Sequence, residues 1–191
     1  MTASNNQAFA TKLLYKTDPK LPKVILKELV NATKDLDYMK SITYDDADPN
    51  YRSSQQYWLP WDHWIAGIMH NIFISANNDY FHYDLDHFQS GIQVTKYDVG
   101  QQYDWHQDQG EELQDNDGKI ERKLSMSFLL TDDYTGGELD IYDISQSRIV
   151  NIPLKAGEVA LFPSWLPHRC RPVKTGTRIC LVAWMNGPVF K

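Results

Sequence analysis

Apolar positions in the first half of the chain recur with the period of an α-helix. In residues 22–36 the aliphatic side chains fall on one side of such a helix, and Pro22 suits its first turn. In residues 60–75 the same spacing is denser and includes two tryptophans. Both stripes are typical of core-facing surfaces, so we predict two helices. The polar, irregular segment 43–56 between them is predicted to be a loop over a functional site.

From residue 91 onward the pattern changes to short strand-like runs separated by turn residues. These runs are IQVTKY, KLSMSFLLT, ELDIYD, RIVNIPL, EVALFP, HRCRPV and RICLVAW. Many short strands with regular turns favour a sandwich or barrel, and no helix-length pattern interrupts them. A length of 191 residues suits one domain. We therefore predict a single, mainly β domain with flanking α-helices, in which residues 1–90 are mostly helical support and residues 91–191 form an antiparallel barrel or jelly roll.

The charge balance narrows the class of partner. With 19 basic and 25 acidic residues the net charge is −6, which disfavours a nucleic-acid footprint and a polybasic membrane surface. The first twelve residues lack the pattern of a signal peptide, and no run of about 18 apolar residues suggests a membrane span. Two cysteines are too few for a disulfide framework. These features predict a soluble cytoplasmic protein without a membrane partner, whose oligomeric state stays open.

A candidate metal site begins with His106 and Asp108. Residues two apart on a strand point to the same face, so an imidazole and a carboxylate at this spacing can converge on one ion. The spacing alone is weak evidence, because His82 and Asp84 share it. The first pair follows a predicted strand, whereas the second lies in an irregular stretch. His168, near the end of the β region, is the candidate third ligand.

Two histidines and one carboxylate suit non-haem Fe(II), although zinc with open positions would serve hydrolysis. The segment after His168 helps to distinguish them. We predict that residues 168–184 form a hairpin in which Cys170 faces Cys180, so that Arg178 shares a face with His168 at roughly 13 Å along the strand. A five-carbon diacid that chelates the metal could reach this arginine, whose inward charge requires an anion. Arg178 as an ordinary surface residue of a strand is the remaining alternative.

Four segments follow one another along the β region, namely QVTKYDVGQQYDWHQD, RKLSMSFLLTDDYTGGEL, GEVALFP and PHRCRPVKTGTRICLVAW. In this order they resemble the iron(II)- and 2-oxoglutarate-dependent dioxygenases, particularly their prolyl 4-hydroxylase-like branch. One spaced motif would be weak evidence, but four in the right order are specific. The resemblance implies a double-stranded β-helix, or jelly roll, with the N-terminal helices buttressing one face.

The resemblance also implies a set of cofactors and their ligands. Fe(II) would be held by His106, Asp108 and His168. The distal carboxylate of the cosubstrate, 2-oxoglutarate, would bind Arg178 and Tyr97. O2 is the second cosubstrate, and ascorbate is allowed as a further cofactor.

On the substrate side, the residues that bracket the target proline in this branch correspond to Tyr103, Arg122 and Trp184. The implied reaction is hydroxylation of peptidyl proline with release of succinate and CO2, and the implied partner is a proline-containing peptide or protein. One departure is Leu139, which stands where the family often has a threonine near the cosubstrate. The polar loop 111–119 is predicted either to close over the site or to be a solvated loop without a role.

Three alternatives stay open at this point. The same chemistry could act on a free amino acid, a small metabolite or a nucleobase. The chain could be a non-enzymatic, cupin-like sensor or binding module, against which the complete metal set and Arg178 argue. Zinc-dependent hydrolysis is the third. Cys170 and Cys180 are predicted to be reduced thiols, as expected beside an iron site in a reducing compartment.

Overall fold

The computed structural model describes residues 13–41, 51–88, 91–110, 113–115 and 118–189. Two α-helices, α1 (Lys23–Lys34) and α2 (Trp64–Ala76), precede most of the sheet, and a π-helical turn (Asn77–Phe81) follows α2. The strands are β1 (Tyr15–Thr17), β2 (Met39–Lys40), β3 (Gln55–Leu59), β4 (Ile92–Tyr97), β5 (Tyr103–His106), β6 (Leu113–Asp115), β7 (Gly118–Leu129), β8 (Thr135–Gly136), β9 (Leu139–Asp143), β10 (Arg148–Ile152), β11 (Val159–Pro163), β12 (His168–Cys170), β13 (Val173–Thr175) and β14 (Arg178–Pro188).

Two antiparallel sheets form the body of the domain. The larger sheet has the strand order β1-β11-β7-β14-β4-β3-β2, with β6 paired to β7, and the smaller has the order β10-β9-β12-β5. Apolar side chains of β11 pack against those of β9 and β10 and so join the two sheets. This arrangement is a double-stranded β-helix, and it confirms the predicted mainly β fold with flanking helices.

Both predicted helices are present, and their apolar stripes pack on the larger sheet. Leu29 of α1 and Phe73 of α2 belong to one hydrophobic cluster with Val94 of β4 and Leu181 of β14. Helix α2 begins later than predicted because residues 60–63 form a turn, in which the backbone N–H of residue 63 donates to the carbonyl of residue 60 at 3.0 Å. No helix in the described part of the chain is long and apolar enough to cross a membrane.

The N-terminal segment contributes strands as well as the predicted helical support. Strand β3 pairs with β4, β2 pairs with β3, and β1 pairs with β11. Residues 55 and 56 of the predicted loop 43–56 therefore belong to a strand, while residues 42–50 lie outside the described residues. The sequence of β3, QQYWL, hides this strand because it is short and half polar, so it shows no alternation of apolar residues.

The predicted hairpin of residues 168–184 is wrong. Strand β12 pairs with β5 and β9 in the smaller sheet, whereas β14 pairs with β4 and β7 in the larger one. Cys170 therefore lies opposite Tyr103 and not Cys180, and Arg178 lies opposite Tyr97. The intervening residues cross between the sheets, and β13 pairs on the way with β8. Gly176 permits this path, since its φ is +71° and an added Cβ would meet a backbone oxygen at 2.3 Å.

Loss of the Phe73 ring is expected to destabilise the fold strongly. Its side chain is completely buried between α2 and the sheet. Phe73→Ala should lower the free energy of unfolding by about 3–5 kcal/mol, because transfer energy is lost and a cavity remains. Urea denaturation followed by circular dichroism measures the change. Val24→Ala, at a position 62% exposed on α1, is the control and should change the free energy of unfolding by less than about 0.5 kcal/mol. Equal effects of the two substitutions would contradict the burial of Phe73 between α2 and the sheet.

Candidate active site

Three potential metal ligands come together where the two histidine-bearing strands of the smaller sheet pair. His106 at the end of β5 lies directly opposite His168 at the start of β12. Asp108 follows β5 by two residues, and its backbone N–H donates to the carbonyl of Ser164 at 2.9 Å. The carboxylate lies 3.3 Å from Nε2 of His168 and 3.8 Å from Nε2 of His106. One ligand atom of each residue lies within 4.8 Å of the others, so the three could hold one ion.

Backbone carbonyls orient both imidazoles. Nδ1 of His106 lies 2.7 Å from the carbonyl oxygen of Asp104, and Nδ1 of His168 lies 2.9 Å from that of Leu166. A carbonyl only accepts, so each Nδ1 carries the proton and donates it. Each Nε2 thereby lies on the side of Asp108, where it can coordinate an ion once it carries no proton.

The electrostatics of the cluster favour a cation. Burial, and then the neighbouring His168, lower the pKa of His106 to about 3. Burial alone would raise the pKa of Asp108, but the charge of His168 and its hydrogen bond to the carboxylate hold that pKa well below the ordinary value. His106 is thus neutral and Asp108 ionised near neutral pH. This donor set of two imidazoles and one carboxylate fits Fe(II), and geometry alone also admits zinc.

The alternative pair at the same spacing does not take part. His82 and Asp84 are exposed, and they lie outside the cluster. Within the described ranges, His106, Asp108 and His168 are the one group of three or more histidine, cysteine or acidic side chains that comes together in this way.

A second subsite surrounds the guanidinium of Arg178. Its side chain is 2% exposed, and its Cζ lies 5.5 Å from the ring centroid of Tyr97, the residue opposite in β4. Nη1 donates to the sulfur of Cys180 at 3.0 Å, while the buried Nε has no hydrogen-bond partner among the described residues. A buried guanidinium without a carboxylate partner is unfavourable. The subsite therefore fits an anion such as the distal carboxylate of 2-oxoglutarate.

One cavity of about 520 Å³ connects the metal ligands with Arg178. Strands of both sheets line it, because Arg178 enters from the larger sheet and His168 from the smaller. All eight residues singled out from the sequence are in the lining, namely Tyr97, Tyr103, His106, Asp108, Arg122, His168, Arg178 and Trp184. The predicted proximity of Arg178 to the metal ligands thus arises across the barrel, by a different route from the hairpin.

The three residues expected on the substrate side lie beside the metal ligands. The ring of Tyr103 stacks on His106 with centroids 3.5 Å apart and planes 12° apart, and burial raises its pKa to about 12. Cζ of Arg122 lies 4.1 Å from the ring centroid of Trp184, and Nη1 donates to the backbone carbonyl of Asp108 at 3.2 Å. The buried indole Nε1 of Trp184 has no hydrogen-bond partner among the described residues.

Among the cavity residues that reasoning from the sequence did not single out are Arg52 and Trp58. Arg52 lies with its Cζ 4.4 Å from the ring centroid of Tyr103, and Trp58 of β3 lies 6.0 Å from Trp184 between ring centroids. Both line the cavity. The polar segment 43–56, which we predict to lie over a functional site, contains Arg52. Its pattern indicates no individual residue, because a polar stretch does not distinguish a site residue from a solvated one.

Two other features named from the sequence concern the cavity wall and its rim. Leu139, at the position where the family often has threonine, lines the cavity with an apolar side chain. Of the loop 111–119, residues 113–115 form β6 against β7, whereas residues 111, 112, 116 and 117 lie outside the described residues. Closure of this loop over the site stays a prediction.

Comparison with known proteins agrees with this geometry. Residues 92–186 match the family model of the 2OG-Fe(II) oxygenase superfamily. A PKHD-type hydroxylase of Synechococcus sp. (strain CC9902) is 32% identical over 97 residues, which are 50% of this chain and 40% of that protein. The chain thus aligns with about two fifths of that relative's length.

Solved structures extend the likeness to almost the whole chain. A prolyl-4-hydroxylase of Pseudomonas putida superposes with a TM-score of 0.71 at 18% identity. The superposition covers 96% of this chain and 97% of the Pseudomonas putida chain. A prolyl hydroxylase of Trichoplax adhaerens, in complex with a hypoxia inducible factor peptide fragment, has a TM-score of 0.71 at 17% identity and covers 94% and 86%. At these identities the structures establish the jelly-roll fold. Together with the family match and the site that this fold carries, they lead to one assignment: the chain belongs to the 2OG-Fe(II) oxygenase superfamily.

Proposed function

We propose that the protein is an Fe(II)- and 2-oxoglutarate-dependent dioxygenase that hydroxylates proline within a peptide or protein. The observation that carries the proposal is the presence of Arg178 in the same cavity as His106, Asp108 and His168. A mononuclear metal site alone also suits hydrolysis. A buried guanidinium that pairs with no carboxylate of the described part of the chain suits an enzyme with a dicarboxylate cosubstrate. The superfamily uses Fe(II) and 2-oxoglutarate, which with O2 supply the oxidising chemistry and release succinate and CO2.

The side chains of this protein bind, orient and exclude water. His106, Asp108 and His168 would hold Fe(II), with the imidazoles fixed by backbone carbonyls. Arg178 would bind the distal carboxylate of 2-oxoglutarate, with Tyr97 beside it. The neutral phenol of Tyr97, whose pKa burial raises well above the ordinary value, can donate to the same carboxylate.

Support for proline as the substrate comes from the cavity walls and from the structural neighbours. Tyr103 and Trp184 present aromatic surface beside the metal ligands, and Arg122 lies over the indole of Trp184. We propose that these three residues bracket the pyrrolidine ring and its peptide carbonyl. The two neighbours described above are prolyl hydroxylases, and one of them is in complex with a peptide fragment.

A mass-spectrometric screen tests the proposal. Proline-containing peptides incubated aerobically with the protein, Fe(II) and 2-oxoglutarate should gain one oxygen atom on proline, with one succinate released per oxygen gained. Asp108→Ala is the blank. Succinate release without oxygen on any proline would support the dioxygenase and reject the proline substrate. Absence of succinate under every condition would reject the dioxygenase as well.

Both cysteines are expected to be free thiols, and we propose on this basis that the protein works in the reducing cytoplasm. Cys170 and Cys180 are buried and unpaired in the structure. Burial raises the pKa of Cys170 to about 11, so its thiol is neutral near pH 7 and a poor nucleophile. Titration of the freshly denatured protein should find two thiols, and Cys170 of the native protein should react slowly with iodoacetamide. A mass lower by two hydrogens, with no titratable thiol, would contradict both expectations.

A further inference from the structure

Arg52 is the one cavity guanidinium that the proposed chemistry leaves without a role. Its Nε donates to the hydroxyl of Ser54 at 3.0 Å, and its Nη2 donates to Oε1 of Gln56 at 3.3 Å. Its Cζ lies over the ring of Tyr103. These partners are all neutral, and no carboxylate of the described residues pairs with it.

The position of Arg52 relates it directly to the reacting centre. Tyr103 contacts the guanidinium of Arg52 and also stacks on His106. The charge of Arg52 is therefore one aromatic ring away from a metal ligand. Arg178 lines the same cavity, but in the proposed function it binds the distal carboxylate of 2-oxoglutarate.

The charges around the cavity are unbalanced in one direction. Among the described residues, its lining contains three guanidiniums, those of Arg52, Arg122 and Arg178, against the single carboxylate of Asp108. Asp108 faces the metal and cannot also neutralise Arg52. This local excess of positive charge contrasts with the net charge of −6 of the whole chain. A substrate with a negative group would complement it, whereas a substrate without one leaves the guanidinium of Arg52 without a counter-charge.

The hydrogen-bond geometry of Arg52 favours a carboxylate. One N–H of Nη2 and the N–H of Nε are used by Gln56 and Ser54, which fixes the orientation of the planar group. Both N–H groups of Nη1 and the second of Nη2 remain. One N–H of Nη1 and the second N–H of Nη2 lie side by side at the end of the guanidinium, where they can donate two parallel hydrogen bonds to the two oxygens of a carboxylate.

We infer that Arg52 forms a second anion site in the cavity, which binds a carboxylate carried by the substrate close to the carbon that is hydroxylated. The inference rests on the proposed function and makes its substrate class narrower. The carboxylate can belong to the C-terminus of a peptide or to an acidic residue next to the target proline. In each case the chemistry that Arg52 recognises is the same.

Matched acid and amide probes test the inference without turnover. The pairs are N-acetyl-L-proline and N-acetyl-L-prolinamide, which represent a C-terminal proline, and blocked Gly-Pro-Glu and Gly-Pro-Gln. Binding is measured under anaerobic conditions on the protein with Fe(II) and saturating 2-oxoglutarate, through the fluorescence of Trp58 and Trp184 in the cavity wall. In at least one pair the acid should bind about tenfold more tightly than the amide or better, and that pair identifies where the carboxylate resides.

Variants assign the preference to Arg52. In Arg52→Gln the acid should bind only as tightly as the amide, and Arg52→Lys, which keeps the charge but not the fork, should retain part of the preference. Arg148→Gln is the control, because Arg148 is an exposed arginine beside Asp143 outside the cavity. Equal binding of acid and amide in every pair, no binding of any probe, or a preference that survives in Arg52→Gln would overturn the inference. Failure of the proposed function is separate, because it appears as the absence of succinate or of oxygen on proline under aerobic conditions.

Discussion

Succinate production should become undetectable when His168 or Asp108 is replaced by alanine. Each variant leaves two of the three ligand atoms that lie within 4.8 Å of one another. Asp108→Ala also removes the only negative charge of the donor set, so the two neutral imidazoles would have to hold a divalent cation alone. Iron content after loading with Fe(II), measured by plasma mass spectrometry, and succinate measured by chromatography report the two consequences independently.

The pair His82 and Asp84 provides the matched control for the metal-ligand variants. It has the same spacing in the sequence, but both side chains are exposed. Asp84→Asn and His82→Asn should therefore bind iron and release succinate as the parent does; asparagine tolerates the positive φ of 59° at residue 82. Full activity in His168→Ala or Asp108→Ala would reject this metal site. Activity with Zn(II) in place of Fe(II) would reject the oxidative chemistry.

The fold could be predicted largely because its periodic signals are local. The helical period gave α1 and α2 to within a few residues, and short apolar runs between turns gave the β core. Pairing between strands is not local, and here the prediction failed. A hairpin is the simplest arrangement of residues 168–184, but β12 is needed between β5 and β9 to complete the smaller sheet. That requirement comes from the rest of the chain and is invisible in those seventeen residues.

The candidate site shows the same division between local and non-local information. His106 and Asp108 are two residues apart at the end of one strand, so their spacing could be interpreted directly. His168 and Arg178 are candidates from the later β region, and the family resemblance implies the same two residues. Arg52 enters the cavity from the predicted loop 43–56, and Trp58 enters it from just beyond that loop. An isolated antiparallel bridge to Tyr103 places Arg52, and the pairing of β3 with β4 places Trp58. No pattern within residues 43–56 encodes that pairing.

Arg178→Met is expected to weaken 2-oxoglutarate binding by one to several orders of magnitude. Hydrogen bonds to charged groups are worth about 1.5–3 kcal/mol each, and about 1.4 kcal/mol corresponds to a tenfold change in affinity. Arg178→Lys keeps the charge without the bidentate fork and should lose less. The KM for 2-oxoglutarate in the succinate assay, and the direct affinity measured by calorimetry with Fe(II) under anaerobic conditions, quantify the change.

The same substitution should have a different effect on the stability of the protein. Without cosubstrate, the guanidinium of Arg178 is buried with a thiol partner at 3.0 Å and an Nε that lacks a partner. Replacing it with methionine removes an unfavourably buried charge, so the Tm in the absence of 2-oxoglutarate should not fall. In the parent, saturating 2-oxoglutarate should raise the Tm, because a ligand that binds only the folded state stabilises it. In Arg178→Met that rise should shrink or vanish.

Variants on the substrate side should show the opposite kinetic pattern to Arg178→Met. Arg122→Ala and Tyr103→Phe should reduce hydroxylation of a proline peptide while changing the KM for 2-oxoglutarate much less, because these side chains lie beside Trp184 and His106 and not beside Arg178. If Arg122→Ala hydroxylates proline peptides as well as the parent does, the proposed proline pocket is wrong even though the dioxygenase stands. If Arg178→Met leaves the dependence on 2-oxoglutarate unchanged, the cosubstrate binds elsewhere in the cavity. Arg52 is then the first residue to test, since its guanidinium also lines the cavity and has no carboxylate partner in the described ranges.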